Sequence, residues 1–226
     1  MKIPTVNVLG VRVHAFTVET LHSAIGEVIR SEDKAIIANV NVNALNLAWS
    51  QPWFAGFLND CRYVFCDGHG VMFAARLRGR RLPLKITYAH WLPLLTAYCA
   101  ANGFSMYFLG ARPGVAEKAA RRLTEARPGL RVAGARHGYF DKRPGSSENR
   151  EVIRDINAVR PDVLLVCFGM PTQERWLHEN WNRIEASIAL TGGAALDYAA
   201  GAVARPPRWM TEHGLEWLGR LILEPA

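Results

Sequence analysis

The stretch that decides the fold is Arg160 to Leu177, RPDVLLVCFGMPTQERWL. Val163 to Phe168 is an unbroken apolar run of strand length, the pattern of a strand covered on both faces inside a parallel sheet. Gly169 and Pro171 stop it, and Pro171 stands where a first helical turn needs no N–H donor. Thr172, Gln173 and Glu174 then bring polar side chains to the positive end of the following helix. Open α/β sheets bind their ligands at such strand-to-helix junctions.

The same grammar repeats on both sides of this stretch. Ala35 to Val40, Arg62 to Cys66, Met106 to Leu109, Leu130 to Ala135 and Ile188 to Leu190 are further apolar runs of strand length. They end in Asn39-Val40-Asn41-Val42-Asn43, Asp67-Gly68-His69-Gly70, Gly110-Ala111-Arg112-Pro113-Gly114, His137-Gly138-Tyr139-Phe140 and Thr191-Gly192-Gly193. Helical spacing follows or precedes them at Val18 to Ile29, Leu92 to Ala101, Val115 to Thr124 and Arg150 to Ala158. Val6 to Val13 reads as a short strand pair turning at Leu9-Gly10. The pattern predicts an α/β fold, a Rossmann-like doubly wound, mostly parallel sheet, occupying residues 1–204. Pro206 and Pro207 end that unit, and Leu215, Trp217, Leu218, Leu221 and Ile222 predict a short amphipathic C-terminal helical segment over 205–226.

Composition narrows the partner. The chain has 226 residues, 50% of them hydrophobic, enough for one sizeable core, and a formal charge of +7 that favours an anionic ligand or surface. Its basic residues are not interleaved with aromatics in the manner of a single-strand platform, which argues against nucleic acid. Four cysteines without a CxxC pair read as buried thiols of a reducing, cytoplasmic compartment. No signal peptide and no span of membrane length is visible, so membrane contact is expected to be peripheral. Arg205, Arg208 and Arg220 beside Trp217 suit an anionic membrane surface, and docking onto the core explains the same segment equally simply.

Individual residues carry two readings each. The asparagines Asn39, Asn41 and Asn43 are turn formers and caps, or amides offered to a ligand. Asp67 is a turn residue, or a carboxylate at a strand's carboxyl end placed for catalysis. His69 stands alone, with no second ligand at metal spacing, so no metal is expected. Arg76 to Lys85 (RLRGRRLPLK) is the densest basic segment, a solvated turn or a patch facing phosphates. Gly110 and Gly114 lack the dinucleotide fingerprint but precede a helix whose N-terminus can hold an anion. Tyr139 is a core cap or a platform for a flat base. The polar loop Asp141 to Asn149 is expected to be exposed.

Taken together, Asn39-x-Asn41, Asp67-Gly68-x-Gly70, Gly138-Tyr139-Phe140, Gly169-x-Pro171-x-Gln173-Glu174-x-Trp176, Gly192-Gly193-x-x-x-Asp197 and Arg205-Pro206-Pro207 before Gly214-Leu215-Glu216-Trp217 closely resemble the WecG/TagA/CpsF family of glycosyltransferases over nearly the whole chain. The resemblance implies inverting, metal-independent transfer of a sugar from a UDP-sugar to a polyprenyl-diphosphate-linked saccharide, without a cofactor, in the synthesis of teichoic-acid linkers, capsules or exopolysaccharides. The donor types it implies are UDP-N-acetylmannosamine, its uronic acid and UDP-glucose. By motif, Asp67 matches the general base, Tyr139 and Asp197 lie where the uridine is expected, and Gln173 where sugar or diphosphate is held. Asn39, Asn41 and Lys85 fall among the donor contacts, and Gly110, Gly169, Gly192 and Gly193 are phosphate-loop candidates. The enzyme is expected at the inner face of the cell membrane, as a monomer or a homo-oligomer.

Three departures accompany the match. The family often has threonine at Asn39. Its Pro-x-Arg-x-x-Gly-x-Asp segment is here Pro83-Leu84-Lys85-Ile86-Thr87-Tyr88-Ala89-His90, without the arginine and the aspartate. The family commonly continues after Glu-Pro with a basic, aromatic appendage, whereas this sequence ends at Ala226 and reads as a truncated appendage or a shorter variant. The two latter departures motivate a rival expectation, a non-catalytic nucleotide-sugar-binding subunit of a polysaccharide assembly complex.

Overall fold

Every apolar run of strand length becomes a strand of one sheet in the computed structural model, which describes residues 3–203. In chain order the elements are β1 (Thr5–Val8), β2 (Val11–His14), α1 (Val18–Arg30), β3 (Ala35–Val40), α2 (Val42–Ser50), α3 (Pro52–Asp60), β4 (Tyr63–Cys66), α4 (His69–Leu77) and α5 (Tyr88–Asn102). They continue with β5 (Ser105–Gly110), α6 (Val115–Ala126), β6 (Arg131–Arg136), α7 (Ser147–Val159), β7 (Val163–Cys167), α8 (Thr172–Asn180), β8 (Ile188–Thr191) and α9 (Ala195–Ala200). The predicted C-terminal helical segment, the domain boundary before it and Arg205, Arg208 and Arg220 lie outside the described residues.

The eight strands run in the order β1-β2-β4-β3-β8-β7-β5-β6, and only β1 is antiparallel to its neighbour. Strand alternation feeds two cores. In β7, Leu164 and Val166 join the core under α2, α3, α4, α7 and α8, while Val163, Leu165 and Cys167 join the core under α1, α5, α6 and α9. This explains why the sequence signal was a continuous apolar run instead of an alternating one. Each fully buried side chain such as Phe65, Leu95 or Leu177 contributes about 1.5–3 kcal/mol by leaving water.

Direction of travel along the sheet positions the site. From β5 the chain moves outward to β6, whereas from β7 it moves inward to β8, so a crevice opens at the carboxyl ends of β5 and β7. Two glycines permit the strands to close up there. Gly110 has a φ of +145° and a Cβ on it would run into the Cys167 carbonyl. A Cβ on Gly192 would lie 2.5 Å from the Cys167 sulfur.

The polar helix α8 is fixed by a buried network. The Trp176 indole N–H donates to Asn149 Oδ1 at 2.6 Å, the Asn149 amide donates to Asn180 Oδ1 at 2.9 Å, and the Asn180 amide returns to the Trp176 carbonyl at 2.8 Å. A buried amide left without its partner costs about 1–3 kcal/mol, so the first turn of α7, where the polar loop ends, is held to α8 at a set distance. The expectation of a wholly exposed Asp141 to Asn149 loop is therefore corrected. Asn149 is fully buried by this network, and Lys142 is half-buried against aromatic rings.

Candidate active site

Parallel pairing brings the functional side chains together from distant parts of the chain. Val40 pairs with Cys66, and the Asp67 N–H donates to the Val40 carbonyl at 2.8 Å, which sets Asp67 beside the end of β3. The Asn39 amide donates to Asp67 Oδ2 at 2.7 Å. On the other side of β3, the Thr191 hydroxyl donates to Asn39 Oδ1 at 2.9 Å and accepts the Asn39 N–H at 3.2 Å. Thr191 and Asn39 are buried, so the threonine fixes the asparagine and the asparagine fixes the carboxylate.

Asn39 and Asp67 open on a cavity of about 250 Å³ that Asn41, Asn43, Thr87 and Tyr88 also line, with Thr191 buried behind them. Asn41 caps α2, its Oδ1 accepting the Ala44 N–H at 2.9 Å, while its side chain stays on the cavity wall. The Tyr88 ring packs between Phe65 and Trp91, and its hydroxyl is buried with no hydrogen-bond partner among the described residues. Burial pushes that phenol well above its ordinary pKa.

Gly169, Gly193 and Ala194 form a shared wall between this cavity and a larger cleft of about 1140 Å³. The cleft lies over the β5/β7 crevice. Ala111 and Arg112 line it from β5, Gly138 to Lys142 from β6, Phe168 and Thr172 from β7, and Asp197 from α9. Tyr139 stands at its rim with 64% of its surface exposed. The Lys142 ammonium donates to the Gly138 carbonyl and sits 4.6 Å from the centres of both the Phe140 and Phe168 rings. Partial burial lowers its pKa, and Asp141 acts in the opposite direction. The first turns of α6 and α8 reach the cleft at Val115 and Thr172, and neither helix has a side-chain cap. Their N-terminal N–H groups and dipoles, with Arg112 and Lys142, make this wall suited to an anion.

Gln173 works from behind the wall. It is fully buried, its Oε1 accepts the Gly193 N–H at 3.0 Å, and its amide donates to Glu174 Oε1 at 2.8 Å. The geometry makes it a brace for the glycine turn shared by the two cavities. Glu174 is also fully buried, its Oε2 has no hydrogen-bond partner among the described residues, and burial drives its pKa up to about 7 against the pull of the Gln173 bond. Gly110 likewise packs behind the cleft, leaving Ala111 and Arg112 on the wall. Lys85 lies 3.3 Å from the His69 ring, next to the Asp67 loop but outside both cavities.

The structure thus gathers Asn39, Asn41, Asp67, Gly169, Gly192 and Gly193 around one cavity and Tyr139 and Asp197 in the adjoining cleft. Sequence reasoning missed Thr191, Tyr88, Arg112 and Lys142 as site residues. Thr191 had a usable signal, a hydroxyl at the end of an apolar run just before Gly192-Gly193. Among the described residues no group of three or more His, Cys, Asp or Glu side chains is gathered as a metal site. No helix among them is long and apolar enough to cross a membrane.

The fold and its two joined cavities define a doubly wound α/β protein with a ligand site at the carboxyl edge of the sheet. The chain belongs to the glycosyl transferase WecG/TagA/CpsF family, whose profile it matches over residues 6–226. It is 27% identical over 191 residues to the N-acetylglucosaminyldiphosphoundecaprenol N-acetyl-beta-D-mannosaminyltransferase of Bacillus subtilis (strain 168), covering 84% of this chain and 72% of that one. The enzyme of the same name from Staphylococcus aureus (strain NCTC 8325 / PS 47) is 26% identical over 195 residues, 86% of this chain and 74% of its own.

Proposed function

We propose that this glycosyltransferase moves a sugar of the N-acetylmannosamine type, or its uronic acid or glucose, from UDP to a polyprenyl-diphosphate-linked saccharide, with inversion and without a metal ion. The observation that carries the reading is the Asn39-oriented carboxylate of Asp67 in a small cavity that adjoins an anion-suited cleft. The names of the relatives supply the acceptor class and the first sugar to try. The product belongs to cell-surface polysaccharide synthesis of the teichoic-acid kind, built at the inner face of the membrane.

In this mechanism the acceptor hydroxyl enters the Asp67 cavity and its oxygen attacks the anomeric carbon. The bond from that carbon to the diphosphate oxygen breaks on the opposite side, its electron pair leaving with UDP, and the hydroxyl proton passes to Asp67. Charge growing on the diphosphate is met by Arg112, Lys142 and the N-termini of α6 and α8. Tyr139 stacks on the uracil, and Asp197 accepts hydrogen bonds from the nucleoside. Gln173 keeps the Gly193 turn in shape between donor and acceptor.

The test is transfer of labelled sugar from UDP-N-acetylmannosamine, its uronic acid and UDP-glucose to a polyprenyl-diphosphate N-acetylglucosamine acceptor, with EDTA present. One donor should turn over and raise the melting temperature of the protein. UDP binding without transfer from any donor would return the non-catalytic subunit, and a strict need for a divalent ion would end the metal-free mechanism.

A further inference from the structure

We propose that α4 and the basic turn after it form a face that docks on an anionic lipid surface and brings the mouth of the Asp67 cavity to the membrane. For its orientation this rests on the lipid-linked acceptor proposed above. The helix begins two residues after Asp67 and has two opposite stripes. Val71 and Ala75 are fully buried against the sheet, so Phe73 and Leu77, also one turn apart, point outward, 60% and 73% exposed. Leu84, after the turn, is 43% exposed. Large apolar side chains this bare on a short amphipathic helix need a partner or a reason to stay dry.

Charge decides which partner. Arg76 flanks the Phe73 and Leu77 stripe, and Arg78, Arg80 and Arg81 follow it, all of them exposed. None of these four is in an ion pair with a described residue. No Asp or Glu occurs anywhere between Asp67 and Glu117. A protein partner of ordinary composition, or a second copy of this face, would set like charges against one another or leave the guanidinium groups unpaired. An anionic bilayer satisfies both halves at once, taking Phe73 and Leu77 at the acyl boundary while the arginines meet the phosphates. A substrate whose lipid stays in the bilayer then presents its sugar hydroxyl to the cavity of Asp67, two residues before the same helix.

Flotation with phosphatidylglycerol-containing vesicles, against pure phosphatidylcholine, reads the contact without turnover. The full chain should bind only the anionic vesicles. Phe73→Ser/Leu77→Ser and, separately, Arg78→Gln/Arg80→Gln/Arg81→Gln should each weaken binding about tenfold or more, the arginine variant also flattening its salt dependence. Both should keep the wild-type melting temperature and transfer to a short-chain, water-soluble acceptor. If the serine variant does not fold, the arginine variant decides alone. Unchanged vesicle binding in the variants, equal binding of neutral vesicles, binding lost only on changing Arg205, Arg208 and Arg220, or loss of self-association in its place would overturn the proposal. Absence of sugar transfer in the wild type would strike the proposed function and leave the vesicle result standing.

Discussion

The two cavities at the carboxyl edge of the sheet are built on opposite plans. Around Asp67, three adjacent parallel strands deliver Thr191, Asn39 and the carboxylate in a hydrogen-bonded series, buried except at the carboxylate. Across the glycine wall, the cleft over β5 and β7 is wide, uses helix N-termini and a lysine held over two rings, and leaves Tyr139 at the rim. Rigid fixation suits a group that must meet one proton at one place, whereas an open anion-binding site suits a ligand that must enter and leave. The proposed function puts chemistry in the small cavity and donor binding in the large one, and each half can be disturbed separately.

Apart from the carboxylate of Asp67 itself, the largest effect is expected at the joint between them. Ionised Glu174 is a buried charge that its hydrogen bonds from the Gln173 amide and the backbone offset only in part, and burial raises its pKa from an ordinary 4.5 to about 7. A carboxyl raised on folding holds its proton more tightly in the native chain, so its contribution to stability falls as pH rises from 4.5 to about 7 and stays lost above. Glu174→Gln should therefore stabilise the protein by about 3 kcal/mol near pH 8 and by almost nothing near pH 4, measured by urea unfolding. Equal effects at the two pH values would remove the buried charge from the account.

Next comes the fixed half. Asn39→Ala takes away a hydrogen bond to a charged group and should lower kcat roughly 30-fold while the Kd for UDP changes less than about twofold. A rise in Kd with unchanged kcat would place Asn39 in the donor site and blur the division. The smallest effect belongs to the open half, where Tyr139→Ala should raise the donor KM about tenfold through lost base stacking and leave kcat nearly alone. A drop in kcat alone would show that the rim is part of the chemistry.

Much of this was legible in the sequence, and the physical reason is burial. Strands covered on both faces need continuous apolar runs, so Val163 to Phe168 and its counterparts could be read directly, and their polar ends marked one edge of the sheet. α3 was missed because PWFAGFLND follows α2 with only Gln51 between, and its apolar face lacks a strand of its own to frame it. What joins Asn39 to Asp67 and to Thr191 was hidden. The first pair is separated by 28 residues and the second by 152, and only the insertion of β3 between β4 and β8 makes them neighbours. Lys142 was hidden too, since a lysine in a Pro- and Gly-containing polar loop reads as solvated until Phe140 and Phe168 are seen beneath it. Gln173 was legible as important, but its direction, back toward the Gly193 turn, was not.

The division of labour rests on Asp67, and Asp67→Asn tests it most directly. Isothermal titration with UDP and a transfer assay on the same preparation should give an unchanged Kd and a kcat lower by about two to four orders of magnitude, the range a positioned general base supplies. A kcat within a few-fold of the wild type, at unchanged UDP affinity, would contradict the assignment of the proton to this carboxylate.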